Sequence, residues 1–146
     1  MEKILNYKEP KNPELDARAE EIAKLTVDAA IRVHRELGPG LLESVYQHCL
    51  IHELTQNGIP VRSEVPIPIS YCGLNFDAAF RADLILDDRV LIELKAVEIL
   101  LPVHKAQIIT YIKLARLPLG LLINFNVPLL KDGLYRIIHP SLPRDS

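Results

Sequence analysis

The segment 80–95 constrains the fold of this chain more than any other, because its pattern is that of two adjacent strands. Residues 80–86 and 90–95 are rich in branched aliphatic side chains that alternate with polar ones, whereas the three residues between them, 87–89, are all polar. Alternation with period two is typical of strands, and a short polar break between two such runs is typical of a turn. The segment therefore predicts a β-hairpin.

The length of the hairpin loop decides whether its acidic side chains meet. With a loop of three residues, Leu86 faces Val90. The same register places Asp83 opposite Glu93, with Cβ atoms about 4.5 to 5.5 Å apart, which is close enough for two carboxylates to hold one cation. A loop one residue longer or shorter places them on opposite faces. Because like charges repel at this distance, Lys95 or a hard divalent cation such as Mg²⁺ would compensate them; the alternative is an ordinary solvated strand face.

Composition excludes several classes of protein. The chain has 146 residues, of which 49% are hydrophobic and 25% charged, and this predicts one globular domain. A net charge of -2 argues against an extended basic surface. Cys49 and Cys72 are expected to be free thiols, since two cysteines are too few for a protein-bound Cys₄ iron–sulfur cluster. No apolar run has the length of a membrane span and the first residues form no signal peptide, so we expect a soluble, cytoplasmic protein without a membrane partner.

Three segments have the periodicity of amphipathic helices. Apolar residues recur at three- and four-residue steps over 15–37, over Leu41–Gln56 and over Val103–Arg116. The third helix is followed by a nearly continuous apolar run, Leu119–Asn126, which is typical of a strand buried on both faces.

Two further strands complete the predicted sheet. Val61–Tyr71 contains Pro66 and Pro68, whose missing backbone donors lie along one side, and this predicts an edge strand. Leu134–Ile138 is a short closing strand. Three antiparallel strands followed by a helical crossover into a fourth predict an α/β fold with a mixed sheet and helices packed on it. The expected organisation is an arm at 1–14, a single domain at 15–140 and a tail at 141–146.

Four segments form an ordered set of motifs. Gly40–Tyr46 reads Gly-Leu-Leu-Glu-Ser-Val-Tyr, and it is accompanied by 34–40, 106–111 and 120–125. This set resembles the GxxExxY protein family, whose naming pattern is the one at Gly40–Tyr46, and the resemblance covers Ala19–Pro140. That family is similar to a compact branch of the PD-(D/E)XK nuclease-like superfamily.

The resemblance implies a restriction-endonuclease-like αβββαβ core and metal-dependent hydrolysis of phosphodiester bonds. It implies an acid on the second strand, an acid-x-lysine on the third and a glutamate on the first core helix. The proline that often precedes the first acid is absent, since Ala82 stands there. The implied catalytic residues are Asp83, Glu93, Lys95 and Glu43, and the implied substrate-positioning residues are Tyr46, Gln107 and Tyr111.

The cofactor implied by the resemblance is Mg²⁺ or Mn²⁺. Asp83, Glu93 and the backbone carbonyl of Leu94 would hold the ion, and Glu43 would reach it directly or through water. Lys95 would orient the attacking water and stabilise the negative charge of the transition state. The implied partner is nucleic acid, DNA rather than RNA, and a homodimer is left open.

Two other functions are consistent with the same residues. A nuclease-like scaffold that only binds nucleic acid or a protein partner is favoured by the near-neutral charge and the small size, although such a scaffold gains nothing from clustered carboxylates. A structural network in which Arg81 and Lys95 neutralise the two acids predicts no metal affinity.

Overall fold

The structure, a computed structural model, describes residues 16–139 and arranges them as one sheet with helices on both faces. The predicted arm at 1–14 and tail at 141–146 lie outside these residues. The elements are α1 (Ala17–Leu37), α2 (Glu43–Gln56), β1 (Val61–Tyr71), β2 (Leu74–Leu86), β3 (Val90–Lys95), α3 (Pro102–Ala115), β4 (Leu119–Asn124), a 3₁₀ turn (Leu130–Gly133) and β5 (Leu134–Ile138).

The sheet contains five strands in the order β1-β2-β3-β4-β5. Neighbouring strands are antiparallel except β3 and β4, which run parallel because α3 carries the chain back between them. The mixed sheet predicted from the order of elements is confirmed. β1 lies at one edge, where the missing donors of Pro66 and Pro68 leave its pairing with β2 intact. β2 begins at Leu74, earlier than the predicted hairpin strand, because it pairs with β1 as far as the turn that joins them.

Apolar side chains fill two cores, one on each face of the sheet. α1 and α2 cover the first core, where Ile22, Leu50 and Leu54 are fully buried. α3 covers the second core, to which it contributes Ile108 and Ile112. Both faces of β3 and β4 are covered, so these strands are buried along nearly their whole length, as the continuous apolar run of β4 predicted.

The alternation of β2 changes face at Asp83. Leu84 packs in the core under α1 and α2, whereas Ala82, only two residues away, packs in the core under α3. Two such residues share a face in a regular strand. By the register of the flanking pairs, Asp83 faces Glu64 of β1, whose φ of 51° lies in the left-handed region. The hairpin of β1 and β2 therefore twists relative to the rest of the sheet at Asp83.

The turn between α1 and α2 places Glu43 at the first residue of α2. Gly38 and Gly40 both have positive φ, 75° and 100°, which glycine adopts without steric cost. The helix that was predicted from Leu41 therefore begins two residues later, directly at the glutamate. This position holds the Glu43 side chain on a rigid element.

The buried side chain of Tyr46 stabilises this turn. Its hydroxyl donates a hydrogen bond to the Gly38 carbonyl (2.6 Å) and accepts one from the Leu41 N–H (3.1 Å). Its fully buried ring stacks on Phe125, with ring centroids 4.5 Å apart. The hydroxyl and the ring of Tyr46 thus both make contacts within the fold, and the substrate-positioning role inferred from the motif stays a prediction.

Removing the Tyr46 hydroxyl is expected to destabilise the fold without impairing substrate binding. Tyr46→Phe keeps the stacked ring but deprives Gly38 and Leu41 of a hydrogen-bond partner, so the free energy of unfolding in urea should fall by about 1 to 2 kcal/mol. The affinity of the folded variant for an oligonucleotide should stay within about twofold of the wild-type value. A much larger loss of affinity would support the substrate-positioning role.

Gly120 of β4 lets α3 lie close to the sheet. A Cβ at this position would lie 2.7 Å from Cγ2 of Ile112 and 3.1 Å from Cγ1 of Ile108. Both are buried, β-branched side chains with little freedom to move, so Gly120→Ala should cost about 1 to 3 kcal/mol of stability through overpacking. Urea unfolding measures this loss, and an unchanged midpoint would contradict the close approach of α3.

Candidate active site

Two acidic side chains occupy the place where β2 and β3 part. The hairpin has the predicted register, with Leu86 opposite Val90, and its regular pairing stops one residue before Asp83 and Glu93. Beyond that point the Asp83 N–H donates to Oε2 of Glu93 (3.1 Å), and the Leu94 N–H donates to Oδ2 of Asp83 (2.8 Å). The carboxylates thus take over the backbone hydrogen bonds of the ladder, which fixes both groups side by side.

Burial makes the charge of this pair costly. Glu93 is only 8% exposed, and burial, followed by the charge of Asp83, raises the pKa of its carboxyl from 4.5 to about 8. The pKa of Asp83 is also raised, chiefly by burial, although the hydrogen bond from the Leu94 amide opposes the shift. Two neighbouring carboxylates that resist ionisation are expected where a cation is to be bound, because the cation restores favourable ionisation of both.

Lys95 ends β3 beside the two acids. Its ammonium lowers the pKa of Glu43, Asp83 and Glu93, but it forms no ion pair with any of them, and neither does the exposed Arg81, which reaches the Glu64 carbonyl instead. Within residues 16–139, the acids are therefore not neutralised by the structural ion pairs considered above. The positive charge of Lys95 therefore lies near the acids without forming an ion pair with them.

The carbonyl of Leu94 points towards the place where β2 and β3 part. The carbonyl of Lys95 accepts a hydrogen bond from the Phe125 N–H (2.9 Å), so the backbone of Lys95 points towards β4. Backbone polar groups of consecutive strand residues point to opposite sides. The Leu94 groups therefore point towards β2, as its amide bond to Asp83 also indicates.

Glu43 approaches the acidic pair from α2. Its side chain is half-buried, and burial, followed by the charge of Asp83, raises its pKa. The structure therefore brings Glu43, Asp83, Glu93 and Lys95 into one electrostatic cluster, although they come from three different elements.

Glu64 of β1 is a fourth acid of this cluster that sequence reasoning missed. Its charge raises the pKa of both Glu43 and Asp83, and its Oε2 accepts a hydrogen bond from Nε2 of Gln47 (3.1 Å). The pairing of β1 with β2 puts Glu64 opposite Asp83. The available signal was the strand register, because extending it from the hairpin to the pairing of β1 with β2 places Glu64 opposite Asp83.

One side of α3 faces the acids. Tyr111 stacks on Phe80 of β2, with ring centroids 4.0 Å apart, and its pKa is raised by burial and then by the charges of Glu93 and Asp83. Gln107, one turn earlier, is half-buried, and its amide makes no hydrogen bond with any residue in the described part of the chain. Tyr111 therefore lies near the acids, and Gln107 lies on the same side of α3 one turn earlier.

His104 continues the same side of α3 by one further turn and was also missed. Nδ1 of His104 accepts a hydrogen bond from the Leu101 N–H (3.1 Å). Burial, followed by the charge of Lys95, lowers its pKa. Its position three residues before Gln107 was the available signal, because residues three and four apart share a helix face.

The residues present fit an ion that keeps part of its water shell better than a closed cage of protein ligands. Across residues 16–139, no three histidine, cysteine, aspartate or glutamate side chains are arranged to hold an ion by themselves. Mg²⁺, however, keeps several waters and is commonly bound by only one or two carboxylates. Asp83, Glu93 and the Leu94 carbonyl supply two carboxylates and one carbonyl oxygen, and a bound cation would favour the ionised form of both acids, whose pKa values are raised by burial.

The fold and the site together define a class. A mixed sheet whose central hairpin carries an aspartate and a Glu-x-Lys, with a glutamate on a preceding helix, is a restriction-endonuclease-like arrangement. The family description of the PD-(D/E)XK nuclease superfamily matches residues 20–137, and the chain belongs to that superfamily.

The comparison with solved structures supports the fold alone. The crystal structure of SSO0001 is similar to this chain with a TM-score of 0.50 and 21% sequence identity, over 88% of this chain and 76% of that one. No curated protein matches the chain. Of the helices in the described residues, none combines the length and the apolar character that crossing a membrane requires.

Proposed function

We propose that this protein is a metal-dependent nuclease of the GxxExxY branch that hydrolyses phosphodiester bonds in nucleic acid. The observation that carries the proposal is the pair of half-buried Asp83 and buried Glu93, whose carboxylates replace the strand ladder and lie beside Lys95. Two such groups do not stabilise the fold, because the ionised form of each carboxyl is unfavourable at its position. Membership of the superfamily supports a nuclease-like function in general.

Each residue of the cluster has a separate role in the proposed hydrolysis. Asp83, Glu93 and the Leu94 carbonyl would hold Mg²⁺ or Mn²⁺, and Glu43 would contribute directly or through water. When bound, the ion supplies positive charge that polarises the phosphate and acidifies water. Lys95 orients the attacking water and stabilises the negative charge that develops on the phosphate.

The donors on α3 act on the substrate. Gln107 and Tyr111 present uncharged hydrogen-bond donors to phosphate oxygens, which fixes the backbone without reading its sequence. We propose DNA rather than RNA as the polymer, and the cytoplasm, where free Cys49 and Cys72 stay reduced, as the compartment. A homodimer remains part of the proposal, and light scattering on the purified protein measures it.

A binding module without catalysis is the second candidate. Leu41, Leu42 and Val45 are exposed around Glu43, and Ile99 and Leu101 are exposed in the segment after Lys95. Exposed aliphatic side chains next to a polar site favour a protein partner over a polyanion. In this case the acids would serve only to hold an ion or a partner.

Labelled single- and double-stranded DNA and RNA distinguish the two candidates. Incubation with Mn²⁺, with Mg²⁺ and with EDTA should give cleavage only when a metal is present, and Lys95→Ala should give none. Metal binding in calorimetry without cleavage of any of the four substrates would leave the binding module as the function.

A further inference from the structure

Two hydrogen bonds join His104 to Leu101 at the start of α3, and one of them holds the imidazole ring. Its own backbone N–H donates to the Leu101 carbonyl (2.9 Å), and its Nδ1 accepts from the Leu101 N–H (3.1 Å). A glutamate or glutamine at the same helix position accepts the same hydrogen bond from the N-cap N–H in a capping box. His104 is thus a cap whose side chain has a second polar atom to spare.

The cap determines which ring nitrogen carries the proton. Because Nδ1 accepts a hydrogen bond, the neutral ring must hold its hydrogen on Nε2. Burial and the charge of Lys95 both disfavour the doubly protonated ring. Nε2–H is therefore a fixed, uncharged donor, and it is not a base, since accepting a proton there requires the other tautomer and the loss of the bond from Leu101.

The neighbours of His104 place this donor in a row. Gln107 and Tyr111 follow at three and seven residues along the same side of α3, and Tyr111 reaches Phe80, three residues from Asp83. Gln107 makes no hydrogen bond with the described residues, so its amide is available as the next donor of the row. Three uncharged donors thus lie in a row on one side of α3, and Tyr111 brings this row close to the acids.

We propose that His104 is a substrate-positioning residue whose Nε2–H donates a hydrogen bond to a non-bridging phosphate oxygen of the nucleic acid. The proposal rests on the proposed function, since it assumes that a phosphodiester lies beside Lys95. A neutral donor binds the phosphate in the ground state without adding charge next to Lys95, which leaves the compensation of the developing charge to that residue.

Three variants separate the donor from the cap. His104→Gln keeps an acceptor for the Leu101 amide and an N–H donor, His104→Glu keeps only the acceptor, and His104→Met keeps neither. Fluorescence anisotropy with a labelled oligonucleotide in Ca²⁺ measures affinity, steady-state cleavage in Mn²⁺ measures KM and kcat, and urea unfolding measures the cap.

The donor role predicts a pattern that a cap alone does not. His104→Gln should bind within about threefold of wild type, whereas His104→Glu and His104→Met should bind about tenfold more weakly, with the change in KM rather than kcat. His104→Met should be the least stable, since it alone loses the cap. The uncharged methionine controls for repulsion by the glutamate.

The same measurements distinguish failure of this inference from failure of the proposed function. Wild-type affinity in His104→Met, or equal weakening in His104→Gln and His104→Met, overturns the phosphate contact while cleavage by the wild type stands. Binding that follows the predicted pattern without any cleavage supports the contact and overturns the nuclease. Absence of both binding and cleavage in the wild type overturns both.

Discussion

Replacing Lys95 with alanine is expected to lower the rate of phosphodiester cleavage by about 10³-fold while changing the free energy of unfolding by less than about 1 kcal/mol. The ammonium lies beside Asp83 and Glu93 but forms no ion pair with either, so little structure depends on it. Its contribution is needed when negative charge develops on the phosphate, and an interaction made mainly in the transition state lowers kcat more than it raises KM.

Lys24→Ala is the matched control for this experiment. Lys24 is an exposed lysine of α1 whose only ion pair within residues 16–139 is the i,i+4 contact with Asp28 (3.4 Å), so its loss removes the same charge far from the acids in sequence. We expect its cleavage rate to stay within about twofold of wild type. Equal cleavage by wild type and Lys95→Ala would remove Lys95 from the mechanism.

The metal-free protein is expected to lose stability as the pH rises from about 5 to above 8. Glu93 has an ordinary pKa of 4.5 and a folded-state pKa of about 8, so the folded chain binds the proton more tightly than the unfolded chain. Stability from this group is then fully present below 4.5 and is lost as the pH passes through 8. The raised pKa of Asp83 has the same sign. The expected loss for Glu93 is on the order of 3 kcal/mol.

Urea unfolding in EDTA at pH 5.5 and pH 8.5 measures this loss. Glu93→Gln keeps an acceptor for the Asp83 amide but cannot ionise, so it should be the more stable protein at pH 8.5 and should lose less than half as much stability between the two pH values. Added Mn²⁺ at 100 times its Kd should stabilise the wild type by about 2.7 kcal/mol and Glu93→Gln by much less. A wild-type stability that rises over this pH range would contradict the raised pKa of Glu93.

Local patterns in the sequence determined the hairpin that carries the acids. The three-residue polar loop and the alternation on both sides of it predict the pairing of Leu86 with Val90, and the structure has this register. A shift by one residue would exchange the side chains that pack under α1 and α2 with those that pack under α3, so the packing of both cores depends on this register. Pro66 and Pro68 likewise fix β1 at an edge, because the chemistry of a missing donor is local.

Long-range packing decided the rest of the cluster. Tyr46 belongs to the motif that carries Glu43, yet its ring packs against Phe125. Glu64 lies near Asp83 and His104 lies near Lys95, although neither belongs to a motif. Helical periodicity gives the side of a helix on which a residue lies, but the neighbour of that side depends on how the helix packs on the sheet.

The sequence alone therefore determined the order of elements, the edge strand and the opposition of Asp83 to Glu93, because period-two alternation, proline chemistry and loop length act over a few residues. Only the tertiary structure decided how deeply Glu93 is buried, which face β2 presents beyond Asp83 and which donors of α3 face the acids. These properties depend on contacts between residues that are distant in the chain. A local sequence pattern does not determine how far such contacts exclude solvent from a side chain.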